Sequence, residues 1–184
     1  MNETLKTIAE RYTCRSFLGT PVKREDLEAI VLAGAQAPTA ANAQRFRIIV
    51  IDDKDFIDEL DEQMIAKFNE ANPMMMDRIQ NRGGKALYNA SAMIIVAIEP
   101  GGNWSPDLDC GIVIQNMALA AHSLEVGNCI NAMCRVLFEG ESGTEMMQKL
   151  KFPEGYVFGC GLLLGYPTNY GTAHQPATDK IIWI

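Results

Sequence analysis

The chain has 184 residues, 48% hydrophobic and 21% charged, the profile of one ordinary globular domain spanning 1–184 rather than of a disordered or low-complexity chain. A net charge of −7 and a pI of about 4.8 argue against nucleic acid as a partner. The longest apolar run, residues 92–98, is far short of the roughly 20 needed to cross a bilayer, and Met1-Asn2-Glu3-Thr4-Leu5-Lys6 carries no apolar signal segment, so no membrane partner and a cytoplasmic location are expected.

Residues 3–11 read as a short helix with Leu5 and Ile8 inward. Pro21 precedes a second helix over about 24–37, with Leu27, Ile30, Val31 and Gly34 on one face. The aromatic and β-branched content of 45–51 predicts a strand. Phe56, Leu60, Met64 and Phe68 recur at steps of four within 53–69, a core-facing helical stripe. Residues 72–84, with Pro73, three methionines and Gly83-Gly84, read as irregular. A fully buried strand follows at 92–98. Asp107 is the expected cap of a long helix to Glu125, whose section 110–121 is apolar nearly all round and therefore central or in an interface. A strand over 129–133, a helix opened by the capping box Ser142-Gly143-Thr144-Glu145 and a strand over 156–164 complete the pattern. The last residues, Ile181-Ile182-Trp183-Ile184, are too apolar to stay in water. Four strands among helices that do not strictly alternate with them point to an α+β fold.

Several chemistries are absent. There is no phosphate-binding G-x-x-x-x-G-K-[ST] loop. Gly159-Cys160-Gly161 lies inside a strand with no following helix, which is not the dinucleotide-binding arrangement. Gly140-Glu141-Ser142-Gly143 misses the nucleophile-elbow spacing. The five cysteines have no C-x-x-C spacing, and the two histidines lie near no cysteine cluster, so no metal site is expected. In this acidic chain, residues 1–24 nevertheless hold five cations against two anions. That segment is either a solvated basic helix end or a seat for an anionic ligand.

The same segment reads Arg11-Tyr12-Thr13-Cys14-Arg15-Ser16-Phe17, then Pro21-Val22, then Ala37-Pro38-Thr39-Ala40-Ala41-Asn42-Ala43-Gln44. It resembles the opening of the FMN-dependent nitroreductase family, R-x-[ST]-x-[RK]-x-F…P-V…A-P-S-x-x-N-x-Q. Residues 109–121 resemble that family's central dimer helix, and 162–167 its closing L-x-x-G-Y-P strand. The resemblance covers nearly the whole chain, in order and spacing, and matches the family's small, single-domain members.

The resemblance implies a central, mostly antiparallel sheet of four to five strands flanked by helices. It also implies a C-terminal arm crossing to the partner subunit of a homodimer, with FMN at the interface. The implied activity is ping-pong transfer of reducing equivalents from NADH or NADPH, through flavin N5, to a small electrophilic acceptor such as a nitroaromatic or quinone. A flavin-binding module without efficient turnover is the alternative. Chemistry at the flavin demands no catalytic side chain, consistent with the absence of a triad or carboxylate pair. By the same resemblance Arg11 and Thr13, with Tyr12 between them, meet the FMN phosphate, and Arg15 meets the flavin's pyrimidine edge. Pro38, Thr39, Ala40 and Asn42 touch the flavin from the second subunit, and the backbone of Phe138, Glu139 and Gly140 meets N5. Three departures stand out. Thr39-Ala40 replaces Ser-Ser, Gln44-Arg45-Phe46 replaces Gln-Pro-Trp, and the basic tail residue that meets the phosphate is replaced by His174. Met74–Met76, Tyr88 and Trp104 are placed where they can roof the flavin, with core filling as the other role for the methionines.

Overall fold

Alternation along two strands sets the architecture. In a computed structural model, which describes residues 1–101 and 105–184, strand β1 (Phe46–Ile51), β2 (Ala92–Ile98), β3 (Gly127–Asn131) and β4 (Val157–Gly165) form one antiparallel sheet in the order β1-β2-β4-β3. β2 is buried at all seven positions because both sheet faces are covered. Met93 and Ile95 join Leu163 and Phe158 in one apolar layer, while Ala92, Ile94, Val96 and Ile98 join Leu162 and Leu164 in the other.

Helix α1 (Glu3–Glu10) precedes α2 (Arg24–Ala35), which shares the second layer with α5 (Pro106–Ser123) through Leu27, Ile30, Val113, Ile114 and Met117. The first layer is closed by α3 (Lys54–Ala71), α4 (Pro73–Gln80) and α6 (Gly140–Lys149) through Ile57, Leu60, Met64, Phe68, Ile79 and Met146. Each such side chain, once fully buried, contributes about 1.5–3 kcal/mol. At Gly34 a Cβ would lie 2.6 Å from Met117 Cγ, so the bare backbone lets α2 approach α5.

The structure corrects the sequence reading at several points. Residues 73–80 are helical because Asn72 Oδ1 accepts from Met75 N and Pro73 occupies the first turn, where its missing N–H costs nothing. α5 starts at Pro106 after Ser105, and Asp107 lies in its first turn rather than capping it. α6 starts at Gly140, ahead of the Ser142 capping box. β3 spans Gly127–Asn131, two residues earlier than expected. Leu5 and Ile8 are 54% and 49% exposed, and Trp183 is 91% exposed, so the apolar face of α1 and the C-terminal residues find no cover among the described residues of the chain. Trp104 lies outside the described residues.

Candidate functional site

Arg11 ends α1, its N–H donating to the Thr7 carbonyl, and the next seven residues run extended across the ends of β3 and β4. Cys14 N donates to Asn128 O at 2.8 Å, Phe17 N to Tyr88 O at 3.1 Å, Leu18 N to Tyr166 O at 2.9 Å, and Thr168 N to Ser16 O at 3.1 Å. The Phe17 ring, 2% exposed, packs over Gly165 and Gly127, where added Cβ atoms would lie 3.0 and 3.2 Å from it. Pinned on both sides, the segment presents Arg15 beside the Cys129 thiol of β3. The Arg15 and Arg82 guanidiniums favour thiolate there, but burial outweighs them and pushes the thiol up to about 11. Burial likewise raises Cys14, whose Sγ donates to Ser16 O, so neither thiol is a nucleophile at neutral pH.

Arg15, Ser16 and Phe17 line a cavity of about 330 Å³ with Arg82, Gly83, Lys85, Tyr88 and Asn89. The 82–89 loop is held by specific contacts. Tyr88 and Asn89 adopt φ of 55° and 63°, a left-handed conformation costly for residues other than glycine. Asn89 Nδ2 donates to Phe17 O at 3.1 Å, and Arg82 Nη1 to the Tyr88 hydroxyl at 3.2 Å. From α3, buried Asp61 accepts from Leu87 N at 2.5 Å. Burial raises the Asp61 carboxyl above the usual carboxylate range, against the Leu87 amide and Lys85. Asp58 pairs with Lys85 at 2.8 Å and also with Lys54. Its own burial opposes ionisation, yet hydrogen bonds from the two lysines outweigh that and hold its carboxyl low. Among the described residues no carboxylate lies within 4.0 Å of Arg15 or Arg82. The cavity is therefore electropositive in a chain of charge −7.

Arg11 is half-buried and makes one long bond, Nη1 to Tyr12 O at 3.4 Å. The Tyr12 ring meets His122 edge-on at 6.0 Å, and burial raises its hydroxyl while it lowers the His122 imidazole. A Cβ at Gly171 would sit 2.4 Å from the Tyr12 ring, so the tail crosses this ring. His174, exposed three residues further on, is within about 10 Å of chain reach of that crossing. Thr13 is half-buried beside it in the same segment.

The loop after α2 lies elsewhere. Ala41 and Asn42 have φ of 49° and 54°. Ala40 N donates to Asp109 Oδ1 at 3.3 Å and Gln44 N to Thr39 Oγ1 at 3.1 Å, fixing Pro38, Thr39, Ala40 and Asn42 before β1. The loop leads into Phe46, which pairs with Ile98 at the far end of β2, whereas the 82–89 wall of the Arg15 cavity leads into Ala92 at its start, so within the chain the loop and the cavity lie at opposite ends of β2. Residues 138–140 are not among those that line this cavity. The connection after β3 coils as a 3₁₀ run, Ala132–Phe138. It ends with Phe138 stacked on Phe158 at 4.8 Å and Glu139-Gly140 opening α6. From that connection Met133 faces the cations, lining a niche with Met75, Arg78, Ile79, Arg82 and Tyr88. At the end of β3, the Asn131 Oδ1 atom is buried with no hydrogen-bond partner among the described residues. Sequence reasoning passed over Arg82, Lys85, Asn89, Asn131 and Met133. The available signal was three cations, Arg78, Arg82 and Lys85, within eight residues of an acidic chain.

The sequence pattern that defines the nitroreductase family matches residues 8–166. Among solved structures, a nitroreductase with bound FMN from Desulfitobacterium hafniense superposes with a TM-score of 0.95 at 39% identity, covering 100% of this chain and 99% of its own. A protein of Archaeoglobus fulgidus that bears the name NADH dehydrogenase/NAD(P)H nitroreductase is 31% identical over 173 residues, 92% of this chain and 88% of the relative. An NAD(P)H-dependent FMN reductase of Bacillus subtilis is 25% identical over 185 residues, 92% of this chain and 68% of its own.

Proposed function

The chain belongs to the nitroreductase family, and from that premise we propose that it is an FMN-dependent NAD(P)H oxidoreductase acting as a homodimer. The observation that carries this reading is the electropositive cavity between the 15–17 segment and the 82–89 loop, which presents Arg15 without a carboxylate partner among the described residues. FMN fits the residues present. A reduced flavin is negatively charged along its pyrimidine edge, which suits Arg15 of this cavity, unpaired among the described residues. When bound, FMN supplies two-electron chemistry, taking reducing equivalents from NADH or NADPH and passing them to a small electrophilic acceptor such as a nitroaromatic or quinone, in alternate visits to one site. Arg15 holds the pyrimidine edge, and Arg11 and Thr13 hold the phosphate, where a charge-assisted bond to a guanidinium is stronger than a neutral one. Exposed His174 is the tail residue within chain reach of that phosphate site.

The second copy supplies what one protomer lacks. Pro38–Asn42 of one protomer complete the site of the other, a reading supported by the placement of the loop and the cavity at opposite ends of β2. Its interface is supported by Leu5, Ile8, Leu108 and the arm 181–184, all exposed apolar side chains that soluble monomers avoid clustering. A groove of about 410 Å³ between α2 and the edge strand β1, lined by Leu27, Val31, Leu32, Ala35 and Val50 together with Arg24 and Glu28, is the seat we propose for that arm. Five cysteines, none in a disulfide, support a reducing, cytoplasmic setting. No helix among the described residues is long and apolar enough to cross a membrane.

The replacement of a basic tail residue by His174 favours one second reading, a flavin-binding module with poor turnover. An anaerobic visible spectrum separates the two. Flavin bands that NADH or NADPH bleaches, and that an added quinone restores, support the oxidoreductase. Bands that persist select the module, and failure to bind added FMN overturns both.

A further inference from the structure

Arg78 and Arg82 are not used by the flavin contacts above. The helix that carries Arg78 forms because Asn72 caps it and Pro73 starts it. It ends as Arg82 N and Gly84 N both return to Ile79 O, at 3.0 and 2.9 Å. That geometry puts the two arginines, four residues apart, on the rim of the niche whose apolar lining is Met75, Ile79 and Met133. The niche shares Arg82 and Tyr88 with the larger cavity that Arg15 lines. Its own volume is only about 30 Å³, room for a small anionic group beside the larger cavity rather than for a whole ligand. Arg82 spends one N–H on the Tyr88 hydroxyl, leaving the rest of its five donors. Among the described residues Arg78 has no hydrogen-bond or ion-pair partner within 4.0 Å. Like charges at this spacing repel each other, and among the described residues neither arginine has a carboxylate within 4.0 Å. Resting on the flavin reading above, we propose that Arg78 and Arg82 are the anion seat of the oxidising substrate, which is therefore a carboxylated, otherwise apolar aromatic acceptor.

The chemistry favours the acceptor over the anionic groups of the nicotinamide dinucleotide, its pyrophosphate and, in NADPH, its 2′-phosphate. Both lie beyond the nicotinamide ribose, away from the reacting ring, whereas this niche shares Arg82 and Tyr88 with the cavity assigned to the flavin. The methionines supply adaptable apolar contact for an aromatic body. A planar carboxylate matches the guanidinium fork.

The test uses the FMN-loaded dimer. Dissociation constants for benzoate and for benzyl alcohol are read from the perturbed spectrum of the oxidised flavin. The ratio of kcat/KM for 4-nitrobenzoate to that for its methyl ester is measured in parallel. Wild type should bind benzoate at least about tenfold more tightly than the alcohol, since one charge-assisted contact is worth that much. Arg78→Gln and Arg82→Gln should each cut this preference and the kcat/KM ratio about tenfold, and Arg78→Lys should restore part of both. Equal binding of the two probes by wild type overturns the proposal. So does an Arg78→Gln protein that loses FMN, or one whose NADPH-to-NADH preference changes while its benzoate preference does not. Failure of the flavin reading shows separately, as a wild-type protein that does not bind FMN or is not bleached by NAD(P)H.

Discussion

Asp61 offers the sharpest way to test how the 82–89 loop is held. Its carboxylate is 4% exposed and accepts from Leu87 N at 2.5 Å. Asp61→Ala leaves that buried N–H without a partner, at a cost of about 1–3 kcal/mol. For a domain of this size each kcal/mol moves Tm by about 2–4 °C, so a fall of about 2–12 °C is expected, with Cm reduced and m unchanged. Asp61→Asn keeps an oxygen for Leu87 and removes the buried charge, so it should lose far less. The pH dependence has a definite sign. Burial raises the native carboxyl above 3.8, so between 3.8 and that raised value the native state binds more protons than the unfolded one. Stability from this group is therefore full below 3.8 and declines as pH rises through the native value. The Asn protein should gain on wild type over the same window. Because Leu87 adjoins Tyr88, which Arg82 and Phe17 grip, the Ala protein should also bind FMN more weakly. Denaturant titrations from pH 4 to 7, paired with FMN fluorescence titrations, read all three. Equal losses for Ala and Asn would refute the account, because the charge and not the acceptor would then be holding the loop.

Arg11→Ala should weaken FMN binding by about 2–5 kcal/mol, as for loss of one partner of a buried charge-assisted contact, and fluorescence titration gives the constant. Arg15→Met should leave FMN bound but lower its two-electron midpoint by roughly 20–65 mV, since the lost contact to the reduced edge is worth about 1–3 kcal/mol and about 30 mV equals 1.4 kcal/mol. A redox titration showing an equal or raised midpoint would mean Arg15 does not face the flavin. Deleting residues 181–184 should shift sedimentation from dimer toward monomer at micromolar concentration, and an unchanged dimer would unseat the arm from the α2–β1 groove.

The sheet and most helices were legible because their signals are local. Seven consecutive apolar residues at β2 fit only a strand covered on both faces, and the four-residue stripe of α3 recurs as buried Leu60, Met64 and Phe68 beside half-buried Phe56. What the sequence hid depends on distant partners or on context. Asp61 sits on an otherwise apolar face, and its amide partner is 26 residues away. Pro73 reads as a breaker until Asn72 is seen to cap the turn that starts with it. Arg15 was legible through its motif. Arg82 and Lys85, with Tyr88 and Asn89, became a cavity wall only through a loop clamped to Phe17 by non-local hydrogen bonds. Exposed Leu5, Ile8 and 181–184 had been read as buried because periodicity reports an apolar face without saying which chain covers it.

The central claim is that each flavin site takes Arg11 and Arg15 from one protomer and the Pro38–Asn42 loop from the other. Mixed dimers test it directly. One protomer carries Arg11→Ala, the other Asn42→Asp, which keeps the left-handed conformation while placing a carboxylate in the loop. Each homodimer should bind FMN weakly. In the mixed dimer one site collects both lesions and the other collects neither, so titration should recover one tight FMN per dimer at the wild-type constant. Mixed dimers in which both sites stay weak would place the loop and the arginines in the same protomer's site, and the shared-site account would be wrong.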